Sequence, residues 1–284
     1  MQVVNNIAAL KLLVRQARSN GQSIGFVPTM GYLHEGHLQL VRQAALENEL
    51  VVMSIFVNPL QFGPSEDFEK YPRNEAADIE MAANAGCHIV FIPTAKEMYP
   101  KGFDSYVDVQ GITTTLCGAA RPGHFRGVAT VVMKLFNLVA PTRAYFGQKD
   151  AQQALVIQKM ANDLNMDLEI VVVPTVRETD GLAMSSRNAY LSADERKSAA
   201  ILYQSLTTAK AKIMQGLNDP KQIVVLIKSM IQSEPLAVVE YVEVVSADDL
   251  KEFEQEIQSR VLIALAVRFG KTRLIDNMII DLEA

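Results

Sequence analysis

Val51-Val52-Met53-Ser54-Ile55-Phe56-Val57 is interrupted by one polar side chain only. A strand with one wet face alternates apolar and polar residues, whereas a run this continuous is covered on both faces, as in parallel sheets flanked by helices. Ile170-Val171-Val172-Val173 repeats the signature. Working outward, strand-like runs at 24–28, 50–57, 88–93, 143–147 and 168–174 alternate with amphipathic segments, which is a βαβ rhythm. The expected fold is α/β, a doubly wound parallel sheet with ligands at the carboxyl ends of its strands.

After Pro174 the rhythm changes. Ser192-Ala193-Asp194-Glu195 reads as a capping box opening a helix towards Gly216. A second helix is expected over 219–232, a strand over 238–245 and an acidic helical segment near 248–256. Two further strands, 261–269 and 272–280, form a hairpin about Gly270-Lys271. This predicts a first domain over 1–176 and a smaller α+β domain over 177–284. No internal repeat or low-complexity segment interrupts either.

The chain has 284 residues, 49% hydrophobic and 21% charged, with 27 Lys and Arg against 32 Asp and Glu. That is the composition of a soluble globular protein of one large or two modest domains. Cys87 and Cys117 lie far apart without metal-ligand spacing, so neither a disulfide framework nor structural zinc is indicated. The longest apolar run, 261–267, is far below the roughly 18 residues that span a bilayer, and the N-terminus lacks a basic-then-apolar leader. A net charge of -5 without a dense basic cluster argues against nucleic-acid binding. A reducing cytoplasm is the expected setting.

The chemistry concentrates in Pro28-Thr29-Met30-Gly31-Tyr32-Leu33-His34-Glu35-Gly36-His37, which follows the first apolar run and precedes the helical spacing of Leu38, Val41 and Ala44. Helix N-termini carry unpaired N–H groups and the positive end of the macrodipole, so two imidazoles three residues apart make a compact donor cluster for phosphate oxygens. Gly31 and Gly36 let a nucleotide approach the backbone. Metal ligation by His34 and His37 would want a third ligand and ranks below phosphate binding; a purely structural pair ranks lower still.

Three other segments add weight only in that company. Phe146-Gly147-Gln148-Lys149-Asp150 ends a strand-like run, and Met184-Ser185-Ser186-Arg187-Asn188 sets two hydroxyls beside an arginine at the domain junction. Arg121-Pro122-Gly123-His124-Phe125-Arg126-Gly127 is a basic, glycine-rich turn. Alone they read as a capped turn, a solvated linker and a basic loop. The stretch 58–73, rich in proline and acid, is either a lid or a variable surface loop.

In this order these segments, with Phe56-Val57-Asn58-Pro59-Leu60-Gln61-Phe62 and Tyr71-Pro72-Arg73, resemble the pantothenate synthetase (pantoate–β-alanine ligase) family along nearly the whole chain. His-x-Gly-His alone would mark only the wider nucleotidyltransferase group. The resemblance implies a cytoplasmic homodimer with a Rossmann-like first domain and a small second domain closing as a lid. It implies an ATP-dependent ligase that condenses (R)-pantoate with β-alanine through a pantoyl adenylate, releasing AMP and pyrophosphate, with Mg²⁺.

By the same resemblance His34, His37, Lys149, Ser185, Ser186 and Arg187 meet the phosphates. His37 acts either as a proton donor or as a stabiliser of pyrophosphate. Gln61 and Gln153 bind pantoate, with Met30 and Phe62 against its dimethyl carbon. The nucleotide lies along Met30, Gly31, Tyr32, Leu33, His34, Glu35 and Gly36, with Gly147, Gln148, Asp150, Val176 and Met184; Arg121 and His124 are weaker candidates for the β-alanine site.

One departure stands out. Relatives commonly carry two adjacent acids shortly after Tyr-Pro-Arg, where this chain has Ala77 then Asp78. Mg²⁺ would then depend on the triphosphate, Asp78 and water, and its ligands stay unassigned. Three rival readings remain at this point. An adenylyltransferase would release pyrophosphate without needing an amine, a non-catalytic nucleotide-binding module would bind ATP without turnover, and an aminoacyl-tRNA synthetase would show salt-sensitive tRNA binding.

Overall fold

The computed structural model describes residues 1–64 and 66–282; Ser65, within the expected lid loop, and the last two residues of the expected second domain lie outside it. The contacts divide the chain into two compact units, 1–147 with 153–174, and 148–152 with 175–284.

The first unit is a six-stranded sheet of β1 (Gln2–Val4), β2 (Ile24–Thr29), β3 (Leu50–Ile55), β4 (Ile89–Phe91), β5 (Arg143–Gly147) and β6 (Glu169–Val173). All pairings are parallel, in the order β1-β4-β3-β2-β5-β6. Its helices are α1 (Ile7–Ser19), α2 (Glu35–Glu47), α3 (Glu75–Asn84), α4 (Ala95–Met98), α5 (Leu116–Ala120), α6 (His124–Val139) and α7 (Ala151–Asp163), the last except for its first two residues. Alternate strand residues serve opposite layers. Val27, Val51, Met53, Val90 and Tyr145 join Leu38, Val41 and Ala44 of α2 in one buried cluster. Phe26 meets Phe136 of α6 edge-on at 6.3 Å, and Phe136 meets Phe146 at 6.4 Å. Both faces are thus dry at the centre of the sheet, as the run 51–57 predicts, whereas 170–172 in the edge strand β6 is only half-buried.

β1 has no sequence signal, because it is a short edge strand left largely exposed, with no dry apolar run to mark it. β2 lies between β3 and β5, so the strand order reverses there. That switch point is where ligands of open α/β sheets collect, and the segments that begin at 30 and 148 follow β2 and its neighbour β5.

The second unit is an antiparallel sheet, β7 (Ala237–Ser246), β8 (Val261–Phe269) and β9 (Thr272–Ile280), with α8 (Ala193–Ser198), α9 (Ile201–Met214) and α10 (Pro220–Gln232). Leu202, Leu206, Ile223, Ile227, Val242, Ile263 and Leu265 belong to one buried cluster. The capping box forms as expected, Ser192 accepting from Glu195 N and Glu195 from Ser192 N, and so does the hairpin about Gly270. Two expectations are corrected. The helix from Ser192 breaks at Ala199-Ala200 into α8 and α9, and 248–256 is not helical. Leu250 there has a φ of 58° and Glu252 bridges to Val245, so the acidic residues decorate a turn returning the chain to β8. Among the described residues no helix is long and apolar enough to cross a membrane.

Candidate active site

In the first unit the turn after β2 is built around a buried carboxylate. Asp78, 3% exposed, accepts from Tyr32 N at 2.8 Å through one oxygen and from Leu33 N at 2.7 Å through the other. Gly31 has a φ of 83°, and a β-carbon there would stand 2.8 Å from Ile55 Cγ2 and 3.0 Å from Asp78 Oδ2. Only glycine allows the chain to turn this tightly against its neighbours. Thr29 Oγ1 steadies the start, donating to Ser54 O at 2.8 Å and accepting from Gly31 N at 3.2 Å.

α2 then starts with an unusual cap. His34 Nδ1 accepts from Gly36 N at 3.2 Å, and His37 Nδ1 accepts from His34 N at 3.3 Å; the rings lie 4.0 Å apart. An acceptor Nδ1 carries no hydrogen, so each neutral ring has its N–H at Nε2, on the far side of the ring from the capping bond. Capping therefore selects the tautomer that puts two N–H donors at the positive end of a helix dipole.

Gln61 lies beside this turn, its Nε2 donating to Met30 Sδ at 3.1 Å. Asn58, 1% exposed, sets it: Nδ2 donates to Gln61 Oε1 and to Gly127 O, both at 3.1 Å. Asn58 Oδ1 accepts from Tyr99 OH at 2.7 Å, and burial pushes the Tyr99 phenol up, which keeps it a donor. The main chain is held as well. Gln61 O receives Arg121 Nη2 at 3.2 Å and lies 2.8 Å from His124 Nδ1. Arg121 also forms a two-pronged pair with Glu66, 2.6 Å on each side. Burial raises the Glu66 carboxyl, but the hydrogen bonds and charge of Arg121 prevail and bring it to about 2, so the clasp is charged across the ordinary pH range.

Arg121 and His124, weaker candidates for β-alanine on sequence, are here engaged in holding Gln61 and, for Arg121, Glu66. Phe62 packs edge-on to Phe68 at 5.4 Å and Tyr71 at 6.0 Å, and Gln153 stands half-buried in the first turns of α7. Asn58, Tyr99 and Gly127 were missed as site residues, although two of them sit in quoted motifs; their partners are distant in sequence.

The second unit carries the other candidates. Lys149 lies in a single 3-10 turn, Gln148–Asp150, with Nζ 3.6 Å from Asp150 Oδ1. Val176, Arg177, Ala183 and Met184 form the two sides of a short arm, with Met184 N donating to Val176 O at 3.0 Å. The arm delivers Ser185, Ser186 and Arg187 to a second 3-10 turn, capped by Ser185 Oγ accepting from Arg187 N.

The residues do not fit a protein-built Mg²⁺ site. No group of three His, Cys, Asp or Glu side chains suited to a metal occurs among the described residues. Asp78, expected to share the ion, spends both oxygens on backbone N–H groups instead. Asp78→Asn turns one acceptor into a donor facing an N–H, and it is expected to cost about 1–3 kcal/mol of stability. Urea unfolding would measure this, and an unchanged midpoint would refute the buttress.

A parallel, doubly wound sheet whose switch-point turn runs into a His-x-Gly-His helix start defines a Rossmann-like α/β enzyme. The family model described as Pantoate-beta-alanine ligase matches residues 2–279. The chain belongs to that family and is a ligase. It is similar to pantothenate synthetase of Acetivibrio thermocellus, 58% identical over 99% of this chain and 100% of the relative. Among solved structures, pantothenate synthetase from Thermus thermophilus superposes with a TM-score of 0.93 at 45% identity, covering 98% of this chain and 99% of that one. Pantoate-beta-alanine ligase from Francisella tularensis, complexed with beta-gamma ATP and β-alanine, gives 0.79 at 34% identity, covering 98% and 97%.

Proposed function

We propose that this chain condenses (R)-pantoate with β-alanine, using ATP and passing through an enzyme-bound pantoyl adenylate. A carboxylate is a poor acyl donor, so a pantoate carboxylate oxygen attacks the α-phosphorus and pyrophosphate leaves. The β-alanine amine then attacks the acyl carbonyl and AMP departs. The observation that carries this reading is the pair of Nε2–H donors at the start of α2, in a chain of this family. Charge builds on the α-phosphate and pyrophosphate in the first step, where preorganised donors act most strongly.

In this reading His34 and His37 stabilise phosphate oxygens as neutral donors. A neutral ring that lost its Nε2 proton would become an imidazolate, so the capping tautomer favours hydrogen bonding by His37 over proton transfer. Lys149, Ser185, Ser186 and Arg187 serve the phosphates as cations and hydroxyls. Gln61 and Gln153 orient pantoate through neutral amides, which leave its carboxylate nucleophilic, and Met30 and Phe62 meet its methyl groups. The nucleotide runs along Met30 to Gly36, Gly147, Gln148, Asp150, Val176 and Met184. Mg²⁺, for which the described residues offer no carboxylate cage, would be held mainly by the triphosphate and water. By resemblance the enzyme is a cytoplasmic homodimer.

The test is incubation of the protein with ATP, Mg²⁺ and pantoate, with and without β-alanine, quantifying AMP, pyrophosphate and pantothenate together. Equal AMP and pantothenate, dependent on both substrates, is the expected result. Pyrophosphate release indifferent to pantoate, or ATP binding without turnover, would overturn it.

A further inference from the structure

Lys149 follows β5 directly in sequence, yet its turn belongs by contacts to the second unit. The agent is Asn277 of β9, which is 4% exposed. Its Nδ2 donates one hydrogen to Gln148 O at 2.9 Å and the other to Lys149 O at 2.8 Å. Two successive carbonyls held by one amide nitrogen fix the peptide plane between them, and with it the direction in which the Lys149 side chain leaves the backbone.

Asn277 is itself held. Its N–H donates to Asp276 Oδ1 at 2.8 Å, and Asp276 is gripped by both arms of Arg177 at 2.6 and 2.9 Å. Arg177 also reaches Asn277 O at 3.3 Å and Gly181 O at 3.0 Å, and lies 4.3 Å over the Tyr203 ring. One buried network therefore joins β9, the Lys149 turn and the arm that ends in Ser185-Ser186-Arg187. Asn277 Oδ1 is buried without a hydrogen-bond partner. An amide kept at that cost is kept for its nitrogen, since an apolar side chain of the same size would fill the space without an orphaned oxygen.

We propose that Asn277 is a positioning residue that aims Lys149, and that through Asp276 and Arg177 it holds Lys149 in the same frame as the Ser185–Arg187 turn. This rests on Lys149 acting at the phosphates as proposed above. Asn277 touches no reacting atom.

The test is a double-mutant cycle in the full chain, with Asn277→Ala and Lys149→Ala singly and together, reading kcat, the KM for pantoate and the melting temperature. A misplacement of about 1 Å at a catalytic group costs on the order of 100-fold. Asn277→Ala is expected to lower kcat about 10- to 100-fold with the pantoate KM within about twofold, and to have less than about a twofold effect once Lys149 is alanine. Equal losses in both backgrounds would make Asn277 merely structural, and no loss in the parent would also sink the idea. Should Asn277→Ala fail to fold, Asn277→Leu keeps the branched shape, removes both donors without adding a charge beside Asp276, and is read in the same way. Failure of the proposed reaction would show separately, as absent pantothenate formation by the unsubstituted protein.

Discussion

Gly127→Ala is expected to lower kcat/KM for pantothenate formation about 100-fold and to destabilise the fold by about 1–3 kcal/mol. In an ordinary helix this substitution would stabilise by nearly 1 kcal/mol, because alanine is the better helix former. Here the sign is reversed by what Gly127 faces. A β-carbon would run into the Leu60 carbonyl, standing 2.5 Å from its carbon and 2.7 Å from Gln61 N. These are backbone atoms of the 3-10 turn Pro59–Gln61, not the movable end of a side chain, so α6 and the turn must separate.

Separation also stretches the bond from Asn58 Nδ2 to Gly127 O, and Asn58 is the residue that orients the Gln61 amide. The loss should appear as a raised KM for pantoate together with a lowered kcat. Steady-state kinetics with urea unfolding would check both. A Gly127→Ala protein at least as stable and active as the parent would show that the contact relaxes freely, and would remove α6 from the account of Gln61.

Lys149→Ala is expected to lower kcat about 100- to 1,000-fold, the usual cost of removing one preorganised donor from developing charge. Stability should hardly change. The ion pair it makes is a 3.6 Å approach to half-exposed Asp150, and pairs so open to water contribute little. Melting temperature within about 2 °C of the parent and an unaltered pantoate KM are therefore the expected companions of the lost turnover. Lys149→Arg should not restore the rate, since a broad planar fork cannot reproduce a compact ammonium at one spot. Near-normal turnover in Lys149→Ala, measured with saturating ATP, would take Lys149 out of the reaction.

What the sequence determined by itself is what nearest neighbours along the chain decide. The dry run 51–56 is legible because burial on both faces removes polar residues from consecutive positions, whereas 170–172, equally apolar, proves only half-buried in the edge strand β6. The Ser192–Glu195 box and the Gly270 hairpin close within a few residues. The motif turns at 28–37 and 146–150 are likewise local, and the strand rhythm places them at carboxyl ends. The same locality misled at 248–256: Leu250, Phe253 and Ile257 have helical spacing and do pack inward, but Leu250 takes a left-handed φ of 58° that no helix allows.

Tertiary structure alone decided what those motif residues lean on. Asp78 reaches Leu33 across 45 residues, Asn58 reaches Gly127 across 69, and Asn277 reaches Lys149 across 128. None of these has a periodicity or spacing to betray it, because the chain is folded back before the partners meet. Asp78 shows the consequence most plainly. On sequence it is an acid free to share a metal ion; in the fold its two oxygens already have backbone partners, and a buried carboxylate is far better satisfied by two N–H groups at hydrogen-bonding distance than left waiting for an ion.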